Sequence, residues 1–177
     1  MDPPALHPLG STDSSAGKGV AARSPLELLT VDRTGACQVW VAACAPNYND
    51  YPFQTGMGIF FAKDHPWNRG QVLDQKYWQH EKTGFFVAAA MAFDILREAG
   101  IKKVCLHTSS RSLIYTIESN SARKFPKVLF NMFEKYLSDL LKSMTGLVVS
   151  TFQESLFSAK QAAAGSLAYK ANHKNCW

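Results

Sequence analysis

The chain has 177 residues, a net charge of +5 and a composition in which 46% of residues are hydrophobic and 19% charged. That length fits one domain with a tail, and the apolar content is enough for a substantial core. The longest uncharged apolar stretch, Thr83 to Phe93, is too short to span a bilayer, so no membrane partner is expected.

The first residues are polar, with Pro3, Pro4 and Pro8 and no apolar run before Gly19. No secretory leader is read there. The expectation is an intracellular protein, nuclear or cytoplasmic. Cys37, Cys44, Cys105 and Cys176 form no C-x-x-C pair and have no histidine at zinc-finger spacing. Four free thiols in a reducing compartment are the expectation, with a disulfide pair as the alternative. The basic balance permits nucleic-acid contact without requiring it, since solvated lysines give the same count. After Glu154 the chain has no acid, only Lys160, Lys170 and Lys174.

Residues 1–34 are rich in Pro, Gly, Ser and Ala, lack periodicity and read as a disordered tail. The folded domain is expected over 35–172, with 173–177 as a C-terminal tail. "CQVWVAACA" from Cys37 is a strand of buried character, and "NYNDYPFQT" is a loop. "GMGIFFAKD" is a second strand, "HPWN" a turn, and "QVLDQKYWQ" (71–79) a third strand with one exposed face. Short connections make these three an antiparallel meander. The period then changes. Ala88, Met91, Ala92, Ile95, Leu96 and Ala99 recur at helical spacing, and Gly100 ends that helix. A strand over Lys103–His107 runs through Thr108-Ser109-Ser110 into a short helix. Val128–Met144 is an amphipathic helix carrying Leu129, Met132, Phe133, Tyr136, Leu137, Leu140 and Leu141 on one face. "GLVVSTF" is a fifth strand, and Ser158–Ala171 an alanine-rich last helix. The order β-β-β-α-β-α-α-β-α is a mixed α/β class: a five-stranded mixed sheet with helices packed on it.

That order and several local stretches resemble the ribonuclease H-like superfamily, most closely eukaryotic type 1 ribonuclease H. "VWVAACA" (39–45) is similar to the family's first strand, V-Y-T-D-G-x-C. "TGMGIFFAKDHPWN" (55–68) resembles A-G-I-G-V-Y followed by H-P-L-N. Ala88 and Ala89 sit where the first helix reads A-E-x-x-A-A. "LHTSS" (106–110) resembles L-Y-T-D-S, and "AAAGSLAYKA" (162–171) resembles A-D-x-L-A-x-x-A. The likeness covers about 38–172.

The resemblance implies cleavage of the RNA strand of an RNA–DNA hybrid by two divalent ions held on four acids. On this chain the four acid positions hold Ala42, Phe85, Ser109 and Gly165. The loop that carries a histidine in the family reads Phe152-Gln153-Glu154-Ser155. Glu81 and Glu154 are the nearest substitute acids, and two carboxylates from two flexible places do not make a two-metal site. The resemblance therefore implies no catalytic residues, no metal ligands and no cofactor. Its primary reading is a catalytically inactive ribonuclease H-like domain, a pseudoenzyme that acts as a binding module for a protein partner or, weakly, for RNA or a hybrid. The alternative is an active ribonuclease H with a rebuilt site, which alone would require Mg²⁺. A purely structural subunit is a third class. For nucleic acid the candidate contacts are Lys82, Arg111, Arg123, Lys124 and Lys127. The family's polar grip before the first helix is here "QHEK" (79–82), which keeps Gln79 but offers Glu81 where phosphate would be met. Trp40, Trp67 and Trp78 read as core or rim residues, and His107 as a strand-end histidine.

Overall fold

The computed structural model describes residues 23–45, 54–121 and 134–173. Its elements run β1 (Cys37–Cys44), β2 (Gly56–Phe60), β3 (Arg69–Val72), α1 (Glu81–Glu98), β4 (Lys103–Thr108), α2 (Arg111–Ser121), α3 (Glu134–Ser143), β5 (Val148–Gln153) and α4 (Ala159–Asn172). One five-stranded sheet has the order β3-β2-β1-β4-β5. The first three strands pair antiparallel, and β1–β4 and β4–β5 pair parallel. The expected mixed sheet, its meander and the order of elements are all present.

Both faces of β1 are covered, which explains its unbroken apolar run. Successive side chains alternate between the faces. Ala43 meets Gly84 of α1 on one side. On the other, Gly58, the cross-strand partner of Ala42, lies against α4. In α1 every residue from Thr83 to Ala90 is buried, because this helix packs on β1 and β2 and beneath α3. Phe86 of α1 meets Tyr136 of α3 edge-on, with ring centroids 5.2 Å apart. Helix α1 ends as its sequence indicates. Gly100 takes φ +80°, and Ile101 N–H and Gly100 N–H donate to the carbonyls of Leu96 and Arg97, the Schellman arrangement that a left-handed residue permits.

Helix α4 turns a stripe of small residues, Ala164, Ala168 and Ala171, to the sheet and docks by backbone proximity. A Cβ on Gly58 would stand 2.0 Å from the Ala164 carbonyl oxygen, and one on Gly56 would stand 2.1 Å from that of Ala168. Gly70 meets Leu167 in the same way. Small residues on both partners let the helix lie directly on β2 and β3.

Two boundaries differ from the sequence expectation. Strand β3 stops at Val72 instead of reaching 79, because the chain turns. The Asp74 carboxylate accepts from Lys76 N–H at 2.9 Å, and the Gln79 amide donates to the carbonyls of Leu73, Asp74 and Tyr77. Order also starts before 35. A 3-10 turn spans Pro25–Leu28, Val31 bridges to Cys37, and the Pro25 carbonyl meets His65 Nε2 at 2.9 Å. The described part of α3 starts at Glu134; the expected stretch from Val128, with Leu129, Met132 and Phe133, lies outside the described residues. Cys37, Cys44 and Cys105 are free thiols. Among the described residues no helix is long and apolar enough to cross a membrane.

Candidate functional site

The carboxyl ends of the parallel strands β4 and β5 open onto a cavity of about 500 Å³. Three segments build it. The first is the start of α1, where His80 is the N-cap: its Nδ1 accepts from Lys82 N–H at 3.1 Å. His80, Glu81, Lys82 and Phe85 face the cavity from there. The second is the β4–α2 joint, Ser109 to Ser112, with Arg111 at the head of α2. Thr108 Oγ1 accepts from Ser110 N–H at 3.1 Å and shapes this joint. The third is the β5–α4 connection, represented by Gln153, Glu154 and Leu156.

The four positions singled out from the sequence fall as follows. Phe85 and Ser109 line the cavity together. Val41 pairs with Thr108, so Ala42 and Ser109 are the next residues of adjacent strands. Ala42 is only 4% exposed and does not line the cavity. Gly165 is one helical turn beyond Gln161, whose side-chain amide donates to the Val41 carbonyl at 3.0 Å. A Cβ on Gly165 would meet no atom within 4 Å, and Gly165 is not a lining residue either. Phe85 is 6% exposed and belongs to the main core cluster while it also forms a wall of the cavity. Of the basic candidates, Lys82 and Arg111 line the cavity; Arg123, Lys124 and Lys127 lie outside the described residues. Gln79 is engaged internally, since beyond its three donated bonds its oxygen accepts from Thr55 N–H at 2.9 Å.

Two carboxylates reach this cavity, and one is already held. Glu154 Oε1 accepts from His107 Nδ1 at 2.8 Å and from Trp40 Nε1 at 3.3 Å. Burial would raise the Glu154 carboxyl, but hydrogen bonds from His107, Ser158 and Trp40 outweigh it and hold the group below its ordinary value. Around His107 the packing is dense. Trp40 stacks on the imidazole at 4.5 Å, Lys160 Nζ lies 4.2 Å from the Trp40 ring centre, and His107 Nε2 contacts the Gln38 side-chain oxygen. The Gln38 amide nitrogen is turned away, toward Asp32 Oδ2. Two oxygens beside one imidazole favour its charged form, and burial opposes it. Burial is the larger effect, so His107 sits below its ordinary value. The sequence reading found His107 as a strand-end residue but missed this chain of contacts. Its one signal was the alternation that puts Trp40 and His107 on equivalent faces of adjacent strands.

Both shifts act in the same direction. A group whose folded value is depressed adds stability above its unfolded value, and that stability is lost as pH falls through the folded one. Domain stability should therefore decline from pH 7 downward, first through His107 and then through Glu154. Glu154→Gln should cost about 1.5–3 kcal/mol at pH 7, the range for hydrogen bonds to a charged group. The difference from the native protein should shrink as pH falls through the folded carboxyl value, which lies below the ordinary 4.5. Urea denaturation from pH 7 to about 2.5 measures it; a pH-independent difference would remove the carboxylate from the account.

The donors at this cleft do not fit a pair of magnesium ions. Such ions take several hard carboxylate oxygens, whereas the walls supply Glu81 from a helix start and a Glu154 already bonded to its neighbours. Among the described residues no group of three or more His, Cys, Asp or Glu side chains is arranged to hold a metal.

Comparison with known structures fixes the architecture. The chain is similar to ribonuclease H1 from the halophilic archaeon Halobacterium salinarum, with TM-score 0.55 and 12% identity over 77% of this chain and 97% of that one. It has the ribonuclease H-like fold. LC11 ribonuclease H1, solved in complex with an RNA/DNA hybrid, is similar over 79% of this chain and 99% of its own, with TM-score 0.53 and 16% identity. The ribonuclease H domain of PFV, a foamy virus, aligns over 77% and 94%, with TM-score 0.53 and 14% identity. No protein-family model and no curated protein sequence matches the chain. Loops and helix starts converge on the cleft at the ends of β4 and β5, the kind of place where α/β sheets bind ligands.

Proposed function

We propose that this domain is a ribonuclease H-like binding module that holds nucleic acid without cleaving it. The observation that carries this reading is the composition of the cleft walls. Phe85 and Ser109 stand where the resemblance implies acids, while Lys82 and Arg111 flank them. Phosphate contact needs only such cations and hydroxyls; hydrolysis needs converging carboxylates. The hybrid held by LC11 ribonuclease H1 supports the ligand class and says nothing about turnover in this chain.

The test is a labelled RNA–DNA hybrid incubated with native protein and millimolar magnesium, followed by the same hybrid in a binding titration at two salt concentrations. The expected result is no cleavage above background together with binding that weakens as salt rises. Cleavage that disappears in Glu81→Gln or Glu154→Gln would establish a rebuilt site and overturn the proposal.

A protein partner is the second reading, favoured by one feature. Val148, Phe152, Leu156 and Phe157 are exposed, Phe157 by 94%, in a single stretch along the edge strand β5 and its connection to α4. An apolar strip of this kind is a common mark of an interaction surface.

A further inference from the structure

We propose that the cleft takes single-stranded nucleic acid, with an unpaired base stacked on Trp78 and the adjoining phosphates drawn to Lys82 and Arg111. This rests on the nucleic-acid reading above and narrows it from backbone contact to a strand whose bases are unpaired.

Trp78 is 59% exposed, against 3% for Trp40. Its indole is stacked on the His80 imidazole, with ring centroids 4.7 Å apart and planes 23° from parallel. His80 is itself fixed, because its Nδ1 caps α1 through Lys82 N–H. The indole is therefore held in place before any ligand arrives, and little rotamer freedom remains to be lost on binding. His80 also lines the cavity. The exposed ring thus stands one stacked residue away from a cleft that carries two cations.

An aromatic surface beside cations is the arrangement that single strands use. Each base has a face that stacks on an indole, and the phosphates follow the positive groups. In a duplex those faces are already stacked, so a rim indole meets only backbone, except at an end. The charge pattern also favours stacking as the main source of affinity. Glu81 shares the rim with Lys82, and Glu154 lies across the cleft from them, bonded to His107. The net field at the cleft is therefore modest, and an electrostatic grip alone would be weak.

The experiment separates bases from phosphates. Fluorescence anisotropy is measured for a labelled oligo(dT), an abasic strand of equal length and charge, and a blunt RNA–DNA hybrid, at two salt concentrations. The proteins are native, Trp78→Ala, Trp78→Phe and Arg111→Ala. Native protein should bind oligo(dT) roughly 5- to 100-fold more tightly than the abasic strand, the gain from one stacked base. Trp78→Ala should reduce oligo(dT) binding to the abasic level, and Trp78→Phe should keep most of it. Arg111→Ala should weaken both strands alike and reduce the logarithmic salt slope by about 0.7. The comparison of the two strands uses native protein, so it stands even if a variant folds poorly. Equal affinity for oligo(dT) and the abasic strand, or unchanged oligo(dT) binding by Trp78→Ala, overturns the proposal. If the hybrid still binds in that case, the broader nucleic-acid reading survives. If none of the three probes binds at low salt, that reading fails and takes this one with it.

Discussion

Gly58→Ala is expected to cost about 3 kcal/mol or more, the upper part of the range for overpacking a tight interface. The added methyl would stand 2.0 Å from the Ala164 carbonyl oxygen, 2.9 Å from Ala168 N and 3.0 Å from the Ala164 carbonyl carbon. All three are backbone atoms, so no rotamer change relieves the clash. Either α4 lifts off β2 or strand β2 bends. Both responses would also strain the partner of Gly58 across the sheet, Ala42, and the hold of Gln161 on Val41. Gly165→Ala is the matched control. It lies in the same helix, has open space around its Cβ position, and should gain about 0.5–1 kcal/mol from helix propensity. Urea denaturation of both variants gives the comparison. A Gly58→Ala protein within 1 kcal/mol of native, as a rough limit, would mean that α4 is not seated on the sheet as described.

The same interface shows why parts of this molecule were legible in the sequence and parts were not. The meander was readable from apolar runs joined by short connections, and α1 from apolar residues at the period of a helix; the alternation that suggested the third strand falls mostly in the turn after Val72. Strands β1 and β4 were readable as continuous apolar runs, since both of their faces are covered. Helix α4 was visible as alanine-rich, but its docking face was not. That face is set by Gly56, Gly58 and Gly70 on β2 and β3, and its buried alanines, Ala164, Ala168 and Ala171, do not stand out beside Ala162 and Ala163 on the other sides. The strap ahead of β1 was missed because it is held by point contacts, Pro25 to His65 and Val31 to Cys37, which leave no periodic trace.

In the cleft, Phe85 and Ser109 were brought together by resemblance, which carries non-local information. The bond between His107 and Glu154 joins residues 47 apart and had no such guide. Trp78 was a different case. It lies two residues before His80, close enough for the two rings to stack. The sequence alone held that clue.

Introducing four acids tests whether the proposed lack of cleavage is a matter of side chains alone. The variant is Ala42→Asp, Phe85→Glu, Ser109→Asp and Gly165→Asp in one protein. The sites are not equivalent. Ser109 is half-buried at the cavity and Gly165 has room, so those two changes should be tolerated. Ala42 is 4% and Phe85 6% exposed, so the other two put carboxylates into the core. Removing a buried phenyl ring costs roughly 3–5 kcal/mol by itself, and an unpaired buried charge adds to that. The variant is expected to be far less stable than native without metal, and Ser109→Asp with Gly165→Asp should keep near-native stability. Magnesium that raised the midpoint of the fourfold variant and left the native protein unchanged would show that the four carboxylates converge.

Hybrid cleavage by the variant should remain near background. Catalysis needs the phosphate held in line with the ions, and small misplacements cost about a hundredfold. In this chain the rim before α1 is Gln79, bonded to its own turn, followed by a histidine cap and Glu81. None of these groups is arranged to seat a hybrid backbone. Efficient cleavage by the fourfold variant would show the opposite: a substrate groove that has stayed intact around an emptied acid cluster. It would then favour the duplex over the single strand as the ligand of this cleft.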